Sequence, residues 1–250
     1  MGLKPRIGTA QRRARLARNH LLAPAARVTT PLDVARGIVA LHATDPATVF
    51  LSAAARLQQP TAAAIECALY DERSLIRMLG MRRTMFVVTR EMAAIVQAAC
   101  TQAIAAQQRK LAHQLFAAAG LAEDVPTWLV QLEEATYGAL VKRGEATAQE
   151  LGQDVPALKT QILMAAGKDY SALQGIATRV LLLLSADGRI VRGRPRGSWI
   201  SSQYRWATLA QWLDTPFVSR APAEAQTELL RAWLHTFGPG TLADLKWWSG

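Results

Sequence analysis

The stretch Ala186-Asp-Gly-Arg-Ile-Val-Arg-Gly-Arg-Pro-Arg-Gly-Ser-Trp199 gives the clearest indication of fold in this 250-residue chain. It opens with the turn pair Asp187-Gly188, and β-branched residues and arginines follow. The pattern predicts a strand over Arg189–Arg192 and a second strand over Ser198–Gln203. The tip between them is rich in glycine and arginine, so we expect a short, rigid and cationic hairpin.

Three predicted helices precede this hairpin. Thr127–Arg143 has the amphipathic pattern of a helix that ends at Gly144. Thr147-Ala-Gln-Glu150 is a capping box that opens a short helix. After an insertion, Ser171-Ala-Leu-Gln174 is a second capping box, and it predicts a helix that continues to Ser185. Helix, helix, helix and hairpin is the order of a winged helix, so residues 122–212 are predicted to be a central winged helix with a basic wing.

Residues 1–90 are predicted to form an N-terminal winged helix. Thr30–Asp33 has the signals of a helix start, namely a hydroxyl cap, proline at the first position and an acid at the third. That helix is predicted to end near His42. Asp45-Pro46 and Pro60-Thr61 start two more helices by similar signals, and Met85–Val88 is apolar and β-branched like a strand.

The rest of the chain is also predicted to be helical. Residues 91–121 form one long alanine-rich connecting helix that ends at Gly120. Residues 213–250 contain the amphipathic segment Pro222–Phe237 and a helix start at Thr241, which together predict the beginning of a third winged helix. The chain stops at Trp247-Trp248-Ser-Gly, so we expect this unit to be truncated and both tryptophans to be exposed. The fold class expected is mainly α with small β-hairpins, arranged as tandem winged-helix (helix-turn-helix) domains.

The charge favours a nucleic-acid partner. The net charge is +10, and seven basic residues precede the first acid, Asp33. Arginine suits this role because its planar fork can bind phosphate bidentately. The hairpin-tip arginines also have a simpler interpretation, as an exposed turn that keeps the protein in solution. The arginines expected to contact DNA are Arg12, Arg13, Arg82, Arg83, Arg192, Arg194 and Arg196.

Several classes of protein are disfavoured. Cys67 and Cys100 have no partner at metal-ligand spacing, so they are expected to be reduced thiols in a cytoplasmic protein. Four scattered histidines give no ligand pattern, so neither a metal nor another cofactor is expected. The apolar run Val180–Leu184 is too short to cross a bilayer. We therefore expect a cytoplasmic protein with no membrane partner.

Three stretches of the chain resemble one known family. Ala14–Leu21, Gly188–Trp206 and Phe237–Gly250 are similar to the opening helix, the central winged helix and the start of the third winged helix of bacterial DNA glycosylases of the AlkZ type. That family unhooks interstrand crosslinks and excises bulky N-alkylated purines. The resemblance implies that the partner is double-stranded DNA, cradled by the tandem winged helices. It also implies a bacterial protein that associates with the nucleoid.

The family's catalytic motif is Gln-apolar-Gln, or Gln-apolar-Asp, after a Gly-Leu or Ala-Leu pair. The matching segment is Ala40-Leu-His-Ala-Thr44, so the resemblance places the two catalytic positions at His42 and Thr44. A second departure lies in Arg82-Arg-Thr-Met-Phe86, where the family usually has glycine before the threonine and histidine at the last position.

These residue types suit the chemistry of base excision. An N7-alkylated purine is positively charged, so the enzyme mainly has to stabilise an oxocarbenium-like sugar and position a water molecule. His42 can orient or deprotonate that water near neutral pH, and the Thr44 hydroxyl can both donate and accept. Asp45 can supply negative charge, although an Asp before Pro46 is also the signature of a helix cap.

Two functions remain open at this stage. One is a monofunctional DNA glycosylase, a hydrolase of N-glycosidic bonds that acts on alkylated or crosslinked purines. The other is a non-catalytic winged-helix protein, either a transcription regulator or a lesion binder, because both glutamines of the family motif are missing. Against a sequence-specific regulator, the predicted helix before the wing offers only Gln174 and Arg179 for reading base edges.

Overall fold

The computed structural model of the protein describes residues 7–164 and 172–250, and these form twelve α-helices and eight strands. The helices are α1 (Thr9–Asn19), α2 (Pro31–Ile38), α3 (Pro46–Ala54), α4 (Ala62–Glu66), α5 (Arg90–Val96), α6 (Gln102–Ala118), α7 (Val125–Arg143), α8 (Ala148–Asp154), α9 (Ala177–Ala186), α10 (Leu209–Trp212), α11 (Pro222–Phe237) and α12 (Leu242–Ser249). The strands are β1 (Leu41–His42), β2 (Leu75–Gly80), β3 (Thr84–Thr89), β4 (Glu145–Thr147), β5 (Gln161–Met164), β6 (Ala172–Gly175), β7 (Ile190–Pro195) and β8 (Tyr204–Thr208). The expectation of a mainly helical protein with small antiparallel sheets is confirmed.

The first unit has the element order α2, β1, α3, α4, β2 and β3, and its sheet has the order β1-β3-β2. All three predicted helix starts are confirmed. The hydroxyl of Thr30 accepts from the Asp33 N–H, Asp45 accepts from the Ala47 N–H, and Thr61 accepts from the Ala64 N–H. Each side chain satisfies a backbone donor that the first helical turn would otherwise leave unpaired.

The predicted end of the first of these helices near His42 is wrong. Helix α2 ends at Ile38, Val39 has a φ of 67°, and Leu41–His42 form strand β1. Leu41 pairs with Val87 and His42 with Phe86, antiparallel to β3. Pairing with β3 overrides the helical preference of the segment, because a strand can bury Leu41 and still expose the next residue.

The connecting helix predicted over residues 91–121 is interrupted. Between α5 and α6, Gln97–Thr101 form a π-helical turn, in which the Thr101 hydroxyl donates to the Leu79 carbonyl of β2 at 2.7 Å. A π turn inserts one extra residue per turn, and here it aligns a buried threonine with the neighbouring strand. Strand β2 itself was not predicted, because Leu75–Gly80 is buried throughout and lacks the alternating pattern of a half-exposed strand.

The second unit repeats the order of the first, with α7, β4, α8, α9, β7 and β8, and its sheet has the order β4-β8-β7. Helix α7 begins at Val125, two residues before the predicted Thr127, because Asp124 caps it. The capping box of Thr147 and Glu150 is confirmed. Strand β5 lies in the predicted insertion, and it pairs antiparallel with β6, which lies beyond it.

Two predictions in the second unit are wrong. Ala172–Gly175 pair with β5 as a strand, so they do not open a helix, and α9 begins only at Ala177; Ser171 lies outside the described residues. The second wing strand was predicted over Ser198–Gln203 but is β8, from Tyr204. Because β8 is the central strand, its position is set by β4 on one side and β7 on the other.

The C-terminal helices confirm the predicted starts, with α11 from Pro222 and α12 capped by Thr241. The expectation that both terminal tryptophans are exposed is wrong for Trp248, whose ring lies 6.1 Å from that of Trp233. Trp247 is 67% exposed, and the guanidinium of Arg82 lies 4.2 Å from its ring. No helix among the described residues is long and apolar enough to cross a membrane.

The first unit and the wing of the second share one hydrophobic core. Val191 of β7 and Ala207 of β8 are buried in the same cluster as Ile76 of β2 and Val87 of β3. Apolar burial of this kind is the main favourable term in folding, so it fixes the wing against the first unit. Strand β1, which contains His42, is therefore held on a part of the molecule next to the wing, which contains the arginines.

Candidate active site and nucleic-acid interface

The side chains of His42 and Thr44 lie next to each other on the surface. Leu41 and Ala43 are buried while His42 and Thr44 are exposed, the alternation of an extended segment. The Thr44 Oγ is 3.5 Å from the His42 Nε2, at the outer limit of a hydrogen bond. The structure thus brings together the two residues that the sequence placed at the catalytic positions.

The backbone of Ala43 is held from two sides. Its N–H donates to the Met85 carbonyl at 2.8 Å, which continues the pairing of β1 with β3. Its carbonyl accepts from the Arg77 Nη1 at 2.6 Å. Because both backbone polar groups of Ala43 are occupied, the backbone here is fixed, and with it the direction in which the His42 and Thr44 side chains leave the chain.

Asp45 is the N-cap of α3. Its Oδ1 accepts from the Ala47 N–H at 2.8 Å, and Pro46 occupies the first helical position. This is the capping geometry that the sequence also allowed. The side chain is exposed and follows Thr44 directly, so one carboxylate oxygen caps the helix beside the candidate catalytic pair.

A cavity of about 290 Å³ lies beside the candidate catalytic pair, and Thr44 is part of its wall. Arg192 and Arg196 of the wing, together with Tyr204, line the same cavity. Two of the predicted DNA-binding arginines therefore share a cavity with a predicted catalytic residue, although about 150 positions separate them in the sequence.

The wing arginines differ in their ion pairs. Arg194 donates to both carboxylate oxygens of Asp71, at 2.9 and 3.0 Å, and lies 3.8 Å from Glu66. Arg192 is half-buried, with its guanidinium 5.3 Å from the Tyr204 ring, and Arg196 is exposed. Among the described residues, neither Arg192 nor Arg196 has a carboxylate at ion-pair distance. Charge that is already neutralised within the protein is less available to DNA.

The other predicted DNA contacts lie elsewhere on the surface. Arg12 and Arg13 are exposed on α1. Arg82 and Arg83 form the link between β2 and β3, and both have the left-handed backbone conformation, with φ of 55° and 56°. None of these four arginines lines the cavity beside Thr44.

Comparison with known proteins identifies the family. The family model described as DNA glycosylase AlkZ-like matches residues 35–250 of the chain. This protein belongs to the AlkZ-like DNA glycosylase family. Its structure is similar to that of the Streptomyces sahachiroi DNA glycosylase AlkZ, with a TM-score of 0.63 and 20% sequence identity. The similarity covers 92% of this chain and 57% of that one, so the chain spans little more than half of the AlkZ structure. No curated protein matches the sequence.

The departures from the AlkZ-like motif fall together in space. Phe86, at the position where the family usually has histidine, is the direct strand partner of His42. Arg83, where the family usually has glycine, has a φ of 56°, a conformation that glycine adopts without strain. Both positions lie on or next to β3, the strand that pairs with the motif.

Sequence reasoning missed Arg77 and Tyr204. Arg77 is 3% exposed and bonds to the motif backbone, while Tyr204 of β8 lines the cavity with Thr44 and the two wing arginines. The signal for Arg77 was present, since a single arginine within Leu75-Ile-Arg-Met-Leu79 is unusual in a buried strand. Tyr204 had no such signal. Within residues 7–164 and 172–250, no three His, Cys, Asp or Glu side chains are placed to hold a metal ion.

Proposed function

We propose that this protein is a monofunctional DNA glycosylase that hydrolyses the N-glycosidic bond of alkylated or crosslinked purines in double-stranded DNA. Membership of the AlkZ-like family supports this proposal. The observation that carries it is the pairing of His42 and Thr44, 3.5 Å apart and exposed, beside a cavity lined by two wing arginines. An imidazole, a hydroxyl and nearby cations are the groups needed to position water on a nucleotide.

The proposed chemistry uses the pair to hold one water molecule. The glycosidic bond breaks with its electron pair leaving on the purine, which neutralises the cationic ring. The water oxygen then bonds to C1′ of the sugar and gives a proton to the His42 imidazole, while the Thr44 hydroxyl orients the water. The Asp45 oxygen that does not accept from Ala47 follows the pair directly in sequence and is the proposed source of negative charge for the oxocarbenium-like sugar. A cationic purine is already a good leaving group, so the reaction does not depend on a strong general acid.

The fold supports a DNA-binding scaffold. The order helix, strand, helix, helix, strand, strand occurs in both units, and we interpret residues 1–90 and 122–212 as winged helices joined by residues 91–121. Residues 213–250 are interpreted as the start of a third. The proposed compartment is the bacterial cytoplasm, in association with the nucleoid.

The proposed contacts with the duplex are electrostatic. The arginines assigned to phosphates of the duplex are Arg12, Arg13, Arg82, Arg83, Arg192 and Arg196. Arg194 can join them only by leaving Asp71 and Glu66. Contacts of this kind position the protein and carry no sequence information.

A second candidate function is a lesion binder without catalytic activity. It is favoured by one observation, that neither glutamine of the family motif is present at positions 42 and 44. A glutamine can hold water at any pH, whereas an imidazole loses its accepting nitrogen when protonated.

Base release separates the two candidates. A duplex with a single N7-alkylguanine is incubated with wild type, His42→Ala or Thr44→Ala, with a no-protein sample as the control for spontaneous depurination. The glycosylase predicts release above the control that decreases in both variants. Lesion binding without release by the wild type would favour the second candidate, and a steep sequence preference with indifference to the lesion would favour a regulator.

A further inference from the structure

Arg77 is a buried arginine whose charge has no counter-charge in the part of the chain that the structure describes. Its side chain is 3% exposed, and Nη1 donates to the Ala43 carbonyl at 2.6 Å. Its Nε and Nη2 have no hydrogen-bond partner among the described residues, and no carboxylate there lies at ion-pair distance. A buried cation without an anionic partner is costly, so its retention calls for an explanation.

Two residues near Arg77, Arg192 and Tyr204, also have buried polar atoms without a partner among the described residues. The Arg192 Nε and the Tyr204 hydroxyl are both buried without a hydrogen-bond partner among the described residues. The guanidinium of Arg77 lies 4.9 Å from the Tyr204 ring, and that of Arg192 lies 5.3 Å from it. One aromatic ring thus holds two guanidinium groups in place, with Arg77 linked to the motif backbone.

Burial and charge both act on this group. Burial lowers the pKa of Arg192, and the neighbouring charge of Arg77 lowers it further. Burial raises the pKa of Tyr204, so its hydroxyl keeps its proton. The negative charge of Asp45 also raises the pKa of Tyr204, and the Asp45 Oδ1 already accepts from the Ala47 N–H.

The lack of carboxylates is local to this part of the wing. Three other arginines of the same region have acidic partners, since Arg189 binds Glu134, Arg194 binds Asp71, and Arg205 lies 3.6 Å from Glu145. Three of the five arginines of the wing are therefore paired with an acid. The other two, Arg192 and Arg196, line the cavity that Thr44 shares, and Arg77 of β2 is likewise without an acidic partner among the described residues.

We propose that this cavity is a binding site for one phosphate diester group of the DNA backbone, contacted by Arg192 and Arg196 and attracted by the buried charge of Arg77. An anion in the cavity would supply the negative counter-charge that these three arginines lack among the described residues. Guanidinium groups favour phosphate because their N–H groups match its oxygens bidentately. The proposal rests on the proposed DNA-binding function and adds the location of a phosphate relative to the motif, because the bound group would lie beside Thr44.

The test uses undamaged duplex DNA, so that it does not depend on base excision. The dissociation constant is measured against salt concentration for wild type, Arg192→Gln and Arg196→Gln. Arg231→Gln is the charge-matched control, because Arg231 is exposed on α11, has no ion pair among the described residues and does not line the cavity. Each lost phosphate contact is expected to reduce the slope of log K against log salt by about 0.9. Arg231→Gln should keep the wild-type slope.

A second arm uses inorganic phosphate alone. The arginine Nε–H signals of the wild type are followed by NMR during titration, and saturable shifts are expected for Arg192 that weaken in Arg196→Gln. Arg192→Lys, with thermal unfolding measured alongside, covers the case in which Arg192→Gln does not fold. Duplex binding with the same slope in Arg192→Gln, Arg196→Gln and Arg231→Gln would overturn this site and leave the proposed function standing. Absence of duplex binding by the wild type would reject both.

Discussion

The imidazole of His42 meets the ring of Phe86 edge-on, with ring centroids 5.9 Å apart and an interplanar angle of 87°. The two residues are direct partners across the β1–β3 pair. In the AlkZ-like family the resemblance places glutamine at the first of these positions and histidine at the second. In this chain the imidazole is on β1, whereas the family pattern places it on the partner strand β3. The site therefore retains an imidazole, although both motif glutamines are replaced.

The chemistry of the side chain at residue 42 should decide how much base release remains. An amide can still orient water through its oxygen and its N–H groups, whereas alanine offers neither a donor nor an acceptor, so His42→Gln is expected to retain more release than His42→Ala. Both rates are measured under single-turnover conditions with the same alkylated duplex. Equal loss of release in the two variants would argue against a water-positioning role for residue 42.

The role of Asp45 can be divided into capping and catalysis. Asp45→Ala should lower the free energy of unfolding by about 1 kcal/mol, because the Ala47 N–H loses its acceptor. Asp45→Asn keeps an acceptor at this position and should restore most of that stability. We expect Asp45→Asn to retain base release to within about tenfold, a smaller loss than a general base causes. A larger loss in a stable Asp45→Asn protein would show that the negative charge itself is required.

Arg83 is held in a conformation that suits glycine. A residue with a side chain is disfavoured there by roughly 1–2 kcal/mol, and the greater flexibility of glycine in the unfolded chain offsets part of this. Arg83→Gly is therefore expected to raise the free energy of unfolding by about 0.5–1 kcal/mol. Arg83→Ala is the control, since it removes the same charge and keeps the backbone cost. Equal stability of the two variants in denaturant titrations would show that the backbone conformation at residue 83 is not a cost.

Because Arg194 is paired with Asp71, we expect it to make no contribution to DNA binding. Arg194→Gln combined with Asp71→Asn removes the pair without changing the net charge, and the salt dependence of duplex binding is expected to stay as in the wild type. A slope reduced by about one unit would mean that Arg194 leaves Asp71 and contacts a phosphate. Filter binding or fluorescence anisotropy over a range of salt concentrations provides this measurement.

The local signals of the sequence were sufficient for most helix starts. Thr30, Asp45, Thr61 and Thr147 each cap the helix that they were expected to cap. Capping involves residues two or three positions apart, so it is visible in one sequence window. The same is true of the turn at Asp187-Gly188, which ends α9 and leads into the wing.

Features set by distant residues were not visible. The strand at Leu41–His42 exists because β3 lies opposite, and β8 is displaced from the predicted segment because two other strands pair with it. Apolar and polar residues alternate from Leu41 to Thr44, which is the pattern of a strand, but four residues are too few to distinguish a strand from the end of a helix. The ion pair that holds Arg194 joins residues 123 positions apart, which no local pattern reveals.

The most direct test of the central claim is single-turnover base release from a duplex with one N7-alkylguanine, comparing wild type with a protein that has both His42→Ala and Thr44→Ala. Binding of the same duplex is measured on the same samples. We predict equal binding and a release rate at least about 100-fold lower in the double variant, the contribution expected of a positioned base. Wild-type release no faster than that of the double variant, with binding intact in both, would contradict the assignment of His42 and Thr44 as the catalytic pair.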